Sequence, residues 1–208
     1  GRLSLVKEQE YPRACIQLSI RGKIDNKPEF TEKFMQISRE LDVDIAFQED
    51  NIYRRNRRLV CFDMDSTLIQ AEVIDKLAEL AGVGDEVKAI TESAMQGEID
   101  FSESFKRRMK LLKGLSEETL HEVAVNLPIT KGARRLIDTL KTYGFKTAIL
   151  SGGFTYFGNY LQKELGMDYM YANELEIIDG VLTGGYIGEI VDGNKKAEYL
   201  KEIAKKEG

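Results

Sequence analysis

The sequence predicts an α/β fold: a doubly wound parallel sheet with a helical cap inserted after its first strand, preceded by part of a small α+β domain. Three observations predict it. "RLVCFDMD" at 58–65 is a nearly continuous apolar run ending in carboxylates, the pattern of a central parallel strand. Residues 71–127 then carry helical spacing throughout, and from residue 132 strands and helices alternate.

Taken in order, "ACIQLSI" (14–20) alternates as a strand does, "EFTEKFMQISREL" (29–41) sets Phe30, Phe34, Ile37 and Leu41 at helical spacing, and "VDIAF" (43–47) predicts a second strand. This unit has too little apolar surface to stand alone and is half of an α+β domain. "YRRNRR" (53–58) reads as a solvated linker in preference to a phosphate-seeking patch.

After the strand at 58–65, Val73, Ile74, Leu77 and Leu80 form a stripe ended at Gly82. A second helix, 85–95, ends near Gly97; a third, 100–114, places Phe101, Phe105, Met109 and Leu112 on one side. A fourth, 116–127, opens with Ser116 as N-cap, and on it the lone histidine, His121, faces solvent. An amphipathic helix (132–144), the buried strand "KTAILSGG", a helix (156–166), a short strand "YMYANEL", a hairpin at Asp179-Gly180 and a helix from Asn194 complete the alternation.

Composition bounds the function. The chain has 208 residues, 42% hydrophobic and 31% charged, enough for a real core. Its net charge of −5, 30 basic against 35 acidic residues, argues against nucleic acid as a partner. No apolar run reaches the roughly 20 residues of a membrane span and no signal-peptide pattern is present, so no membrane partner is expected. Cys15 and Cys61 read as reduced core thiols, which fits a cytoplasmic protein.

In a doubly wound sheet, ligands bind beyond the carboxyl ends of the strands. Two polar signals fall there: Asp63-Asp65-Ser66-Thr67 and Ser151-Gly152-Gly153, with Lys196 on the last helix as a third. This set suits phosphoryl transfer. One carboxylate attacks phosphorus, a second moves protons, a divalent cation offsets their repulsion, and a hydroxyl, glycine N–H groups and an ammonium hold the phosphate. Each signal alone also has a bland reading, a turn, a cap or a solvated lysine; their common position at strand ends favours a site.

"FDMDSTLI", then "SGGF", then a lysine opening a late helix resembles the haloacid-dehalogenase-like phosphatases, whose first motif is D-x-D-x-T, and the segment 71–115 looks like the helical cap of the phosphoserine-specific members. The resemblance covers residues 52–208. It implies a Rossmann-like core of HAD type at 52–70 and 128–208 and a cap at 71–127. It also implies hydrolysis of O-phospho-L-serine to L-serine, the last step of serine biosynthesis, through an aspartyl-phosphate at Asp63. By it Asp65 is the general acid/base, and Asp63 with the Asp65 carbonyl binds Mg2+. Ser151, Gly152, Gly153 and Lys196 contact the phosphate, Glu72 the substrate ammonium and Arg108 its carboxylate, while Met95 and Phe101 close the cap. Residues 1–51 resemble part of an ACT-like, ferredoxin-like regulatory domain, implying a homodimer. The family's acidic fourth motif, which supplies a third metal ligand, is not reached before "KKEG", so these 208 residues alone are expected to bind magnesium weakly and turn over slowly. Phosphoryl transfer to homoserine, a sugar- or nucleotide-phosphatase activity, and a catalytically inert amino-acid-binding module are the rival readings.

Overall fold

The computed structural model describes residues 2–6, 13–20, 22, 26–48 and 58–208, with side chains from residue 15 onward in those ranges. The chain divides into two compact units, Gly1–Arg54 and Arg55–Gly208.

In the first unit, β1 (Arg2–Val6) pairs antiparallel with β2 (Arg13–Gln17). Helix α1 (Lys27–Leu41) opens where the Asn26 side chain accepts the Glu29 N–H at 3.3 Å and closes at Asp42, whose φ is 50°. Strand β1 was not expected, and the strand expected at 43–47 does not form: the segment packs Phe47 against Phe30, ring centroids 5.0 Å apart, without joining a sheet. A strand needs a ladder partner. Nothing with a described side chain in this unit is buried, and Cys15, expected in a core, is exposed.

The second unit is built on a four-stranded sheet ordered β3-β4-β5-β6, with β3 Leu59–Phe62, β4 Lys146–Phe154, β5 Tyr169–Ile178 and β6 Val181–Ile187. The first three are parallel, as expected; β6 runs antiparallel to β5 through Asp179-Gly180, both at positive φ, so the sheet is mixed. The hairpin lengthens β5 beyond the short strand that "YMYANEL" suggested, because Ile177 and Ile178 pair with Leu182 and Val181 of β6 across a register shift after Leu175.

Alternation along β4 fixes the two faces. Ala148 and Leu150 point to one side, where α8 (Gly193–Glu207) covers them with Ile203 and Tyr199. Ile149 points to the other, into the main core with Ile137 of α6 (Ala133–Thr142) and Phe157 and Leu161 of α7 (Thr155–Leu165). Helices on both faces make this a Rossmann-like α/β unit with helical insertions.

The inserted helices are α2 (Val73–Ala81), α3 (Gly84–Met95), α4 (Phe101–Leu111) and α5 (Glu117–Val125). Ser116 caps α5 as expected, accepting the Thr119 N–H at 3.2 Å. Leu77, Val87, Phe105, Met109 and Leu120 enter the same apolar cluster as Phe154 and Phe157 of the sheet side. Leu80 does not: it is exposed, and Ala78 takes the inward place, because the buried face of α2 follows residues 73, 77, 78 and 81. His121 is exposed, as expected. The basic cluster at 53–57 lies outside the described residues; Arg58 donates to the Tyr143 carbonyl at 3.3 Å.

Candidate active site

At the carboxyl end of β3 the strand breaks into a wide turn, Met64–Leu68, closed by the Ile69 N–H on the Met64 carbonyl at 3.2 Å. Met64, fully buried, anchors it, and Asp63 and Asp65 flank that anchor. A neighbouring loop braces the turn: the Thr130 hydroxyl donates to the Thr67 carbonyl at 2.7 Å and the Thr130 N–H to the Leu68 carbonyl at 2.8 Å.

The two carboxylates have different surroundings. Asp63 is about half exposed; its Oδ1 accepts the Met64 N–H at 2.8 Å and its Oδ2 lies 2.9 Å from Lys196 Nζ. Asp65 is more enclosed, and Oδ1 accepts the N–H of Val73, the first residue of α2, at 2.9 Å. Burial pushes the Asp65 carboxyl up to about 6; the Val73 N–H opposes this, Glu72 and Asp63 add to it, and Lys196 opposes it. Burial thus favours the protonated form of Asp65, beside a carboxylate that is held against an ammonium.

Lys196 reaches Asp63 because Asp192 caps α8, accepting the Lys195 N–H at 2.8 Å, and the next residue faces the sheet end. Lys195 is spent elsewhere, on Glu189 at 2.7 Å and Glu198 at 2.9 Å, which raise its pKa further.

From β4, Ser151 is fully buried and its Oγ accepts the Gly153 N–H at 2.9 Å. A side chain is excluded at both glycines. A Cβ at 153 would stand 2.6 Å from Asp65 Oδ2, and one at 152 would stand 2.9 Å from the Phe101 ring. Asn173 of β5, almost fully buried, holds this turn in place. Its Nδ2 donates to the carbonyls of Gly152 and Gly153 at 2.8 and 3.2 Å, and its Oδ1 accepts the Val191 N–H at 2.7 Å. One amide thus ties the glycine turn to the segment leading into the helix of Lys196.

The structure gathers Asp63, Asp65, Glu72, Phe101, Arg108, Ser151, Gly152, Gly153 and Lys196 around one cavity of about 200 Å3. Met95 is not among its walls; as the last residue of α3 it is 84% exposed. Glu72 accepts from the Ser66 hydroxyl at 2.6 Å. Arg108 is partly buried: burial lowers its pKa, Asp75 and Glu72 oppose that, and a guanidinium still keeps its charge. Sequence reasoning missed Asn173 and Thr130. The available signal for Asn173 was a carboxamide inside an otherwise apolar strand, where an unpaired amide is costly.

Among the described residues no cluster of three or more carboxylate, imidazole or thiolate side chains could hold a metal. The Asp63 carboxylate at the cavity wall is a donor of the kind that suits a hard cation such as Mg2+, which binds through one or two carboxylates with waters and substrate phosphate completing its shell.

The family of haloacid dehalogenase-like hydrolases matches residues 60–208. A phosphoserine phosphatase of Archaeoglobus fulgidus is 48% identical over 86% of this chain and 52% of its own length. A HAD-family hydrolase structure from Salmonella enterica serovar Typhi superposes with a TM-score of 0.79 at 32% identity, over 88% of this chain and 62% of that one. A structure described as a phospho-aspartyl intermediate analogue of phosphoserine phosphatase superposes with a TM-score of 0.68 at 43% identity, over 73% of each chain. The chain spans about half the length of the curated relatives it matches.

Proposed function

The chain belongs to the haloacid dehalogenase-like hydrolases, and from that membership we propose that it hydrolyses O-phospho-L-serine to L-serine and phosphate through an aspartyl-phosphate on Asp63. The observation that carries this is the Asp63–Lys196 pair, 2.9 Å apart at the cavity wall and drawn from the end of β3 and the first turn of α8, 133 residues distant in sequence.

In the first step the Asp63 carboxylate attacks phosphorus and the bond from phosphorus to the serine oxygen breaks. The protonated Asp65 gives its proton to the leaving alkoxide. In the second step water attacks the aspartyl-phosphate and passes a proton to the Asp65 carboxylate, phosphate leaves, and Asp63 is restored. Burial, which pushes the Asp65 carboxyl up, favours the protonated form that the first step needs. Lys196 and Ser151 hold the phosphoryl oxygens, with the Gly152 and Gly153 backbone close because neither position carries a side chain. The Asp63 carboxylate and the Asp65 carbonyl would hold Mg2+, whose positive charge would offset repulsion between nucleophile and phosphate. Glu72 receives the substrate ammonium and Arg108 grips its carboxylate in a fork. The test is hydrolysis of O-phospho-L-serine with and without Mg2+, together with trapping of labelled phosphate. Label on Asp63 is the expected result, and labelling elsewhere overturns the mechanism.

For residues 1–51 the reading is a partial ACT-like module that pairs two copies of the chain. Exposed Ile16, Leu18, Ile20 and Phe47 support it, and a chain that sediments as a monomer refutes it. No helix among the described residues is long and apolar enough to cross a membrane. The free thiols of Cys15 and Cys61 support a reducing, cytoplasmic location.

A further inference from the structure

Ser66 lies between the catalytic Asp65 and the cap, and it is an unusual residue for its backbone. Its φ of 54° and ψ of 10° put it in the left-handed region, which non-glycine residues enter at a cost of order 1 kcal/mol or more. The loop that holds it there is closed by its own N–H on the Ala71 carbonyl at 3.1 Å. That closure brings the Ser66 hydroxyl to Glu72 Oε1 at 2.6 Å.

Glu72 occupies the N-cap position of α2 but makes no capping bond with its side chain. The first N–H of α2 is taken by Asp65 Oδ1 instead, at 2.9 Å. Relieved of capping, the Glu72 carboxylate faces the cavity, and among the described residues the Ser66 hydroxyl is its hydrogen-bond donor. With one of its roughly four acceptor sites engaged at Oε1, the Glu72 carboxylate keeps Oε2 to offer a ligand cation.

We propose that Ser66 is a positioning residue for substrate selection: its hydroxyl aims the Glu72 carboxylate so that Oε2 meets the ammonium of the bound amino acid. This rests on the phosphoserine reading above and deepens it. Both partners are exposed, so the bond adds little to folding; its effect is to remove rotamers of Glu72 that point away from the cavity. The left-handed backbone is retained because it delivers the hydroxyl, which glycine, the residue best suited to that conformation, lacks.

The test compares kcat and KM for O-phospho-L-serine and for its deamino analogue, 3-phosphooxypropanoate, in the full chain. The proteins are wild type, Ser66→Gly, Ser66→Ala, Glu72→Gln and the double variant Ser66→Gly/Glu72→Gln. Wild type should prefer phosphoserine. Ser66→Gly should reduce that preference about tenfold, the scale of one hydrogen bond to a charged group, through the KM of phosphoserine alone. The KM of the analogue should stay in place and the unfolding midpoint should not fall. Ser66→Ala should lose the same preference, and in the Glu72→Gln background Ser66→Gly should add nothing. A Ser66→Gly protein that keeps the wild-type preference, or loses kcat for both substrates together, overturns the inference. So does a loss seen with alanine and not glycine, which would mark a backbone effect. A wild type that favours neither substrate overturns the phosphoserine reading, and this inference with it.

Discussion

The cavity has a sheet side and a cap side, and the two are held by different means. On the sheet side, Asp63, Ser151 and Lys196 sit at strand and helix ends whose backbone is fixed by ladders and caps, and Asn173 bonds the pieces to one another. On the cap side, Glu72 and Arg108 stand on helices and are directed mainly by side-chain contacts: the Ser66 hydroxyl for one, the Ser104 carbonyl at 3.4 Å for the other. The lesson is a division of labour. On the proposed function, groups that must meet a reacting phosphorus to within a fraction of an ångström are placed by backbone, and groups that would recognise the rest of the ligand are placed by side chains that can adjust.

If that division is right, variants on the sheet side should act on kcat and variants on the cap side on KM. The largest effect is expected from Asp63→Asn, which removes the proposed nucleophile and leaves the fold: phosphoserine hydrolysis should fall by at least about 10^4-fold in a steady-state assay. Asn173→Ala should come next. It strips partners from two carbonyls and the Val191 N–H, each worth about 1–3 kcal/mol when buried and unsatisfied. Urea unfolding should show a loss of about 3 kcal/mol, and kcat should fall more than KM rises because the glycine turn and the Lys196 helix lose their common tie.

Asn173 also marks the limit of what the chain discloses unaided. Asp63, Asp65 and Ser151 were legible because polar residues abruptly ending apolar strands fall where a doubly wound sheet binds ligands, and Lys196 only as a third candidate opening the last helix. Asn173 was not, because its role is a tertiary one: its three partners lie 21, 20 and 18 residues away, and periodicity sees only neighbours. Glu72 and Arg108 look like any helix charges, and only a resemblance assigned them. The parallel core of the sheet was legible from apolar runs, whereas the strand expected at 43–47 failed because alternation specifies a face and not a partner.

Arg108→Lys sharpens the cap side. An ammonium keeps the charge but loses the fork, so KM for phosphoserine should rise about tenfold with kcat nearly unchanged. An equal fall in kcat would move Arg108 to the sheet-side class and break the division.

Asp168 gives a smaller effect, read in stability and away from the cavity. It lies on the turn entering β5, where Oδ2 accepts the Thr147 N–H at 2.8 Å and the Thr147 hydroxyl at 3.0 Å. Burial alone would raise its pKa; those bonds, with Lys146 and Lys141, outweigh it and leave the pKa below the usual carboxylate range. A carboxylate depressed in the folded state adds stability above its unfolded pKa of about 4, and that stability is lost as pH falls through the folded value. Asp168→Asn should therefore lower the unfolding midpoint at pH 7, by less than about 1 kcal/mol because the site is open to solvent, and the gap from wild type should close as pH falls below about 4.

The smallest expected effect is at Met95. Its side chain is 84% exposed and does not line the cavity, so Met95→Ala should leave KM and kcat within about twofold and stability within about 0.5 kcal/mol. The resemblance that assigned Glu72 and Arg108 also assigned Met95 to closing the cap, so this variant sets that assignment against the geometry directly. A KM several-fold higher, with stability unchanged, would mean that α3 swings inward when substrate binds and that the cap side is shaped by closure as well as by side-chain aim. An unchanged KM would leave Phe101, already against Gly152, as the cap's aromatic contact with the phosphate turn.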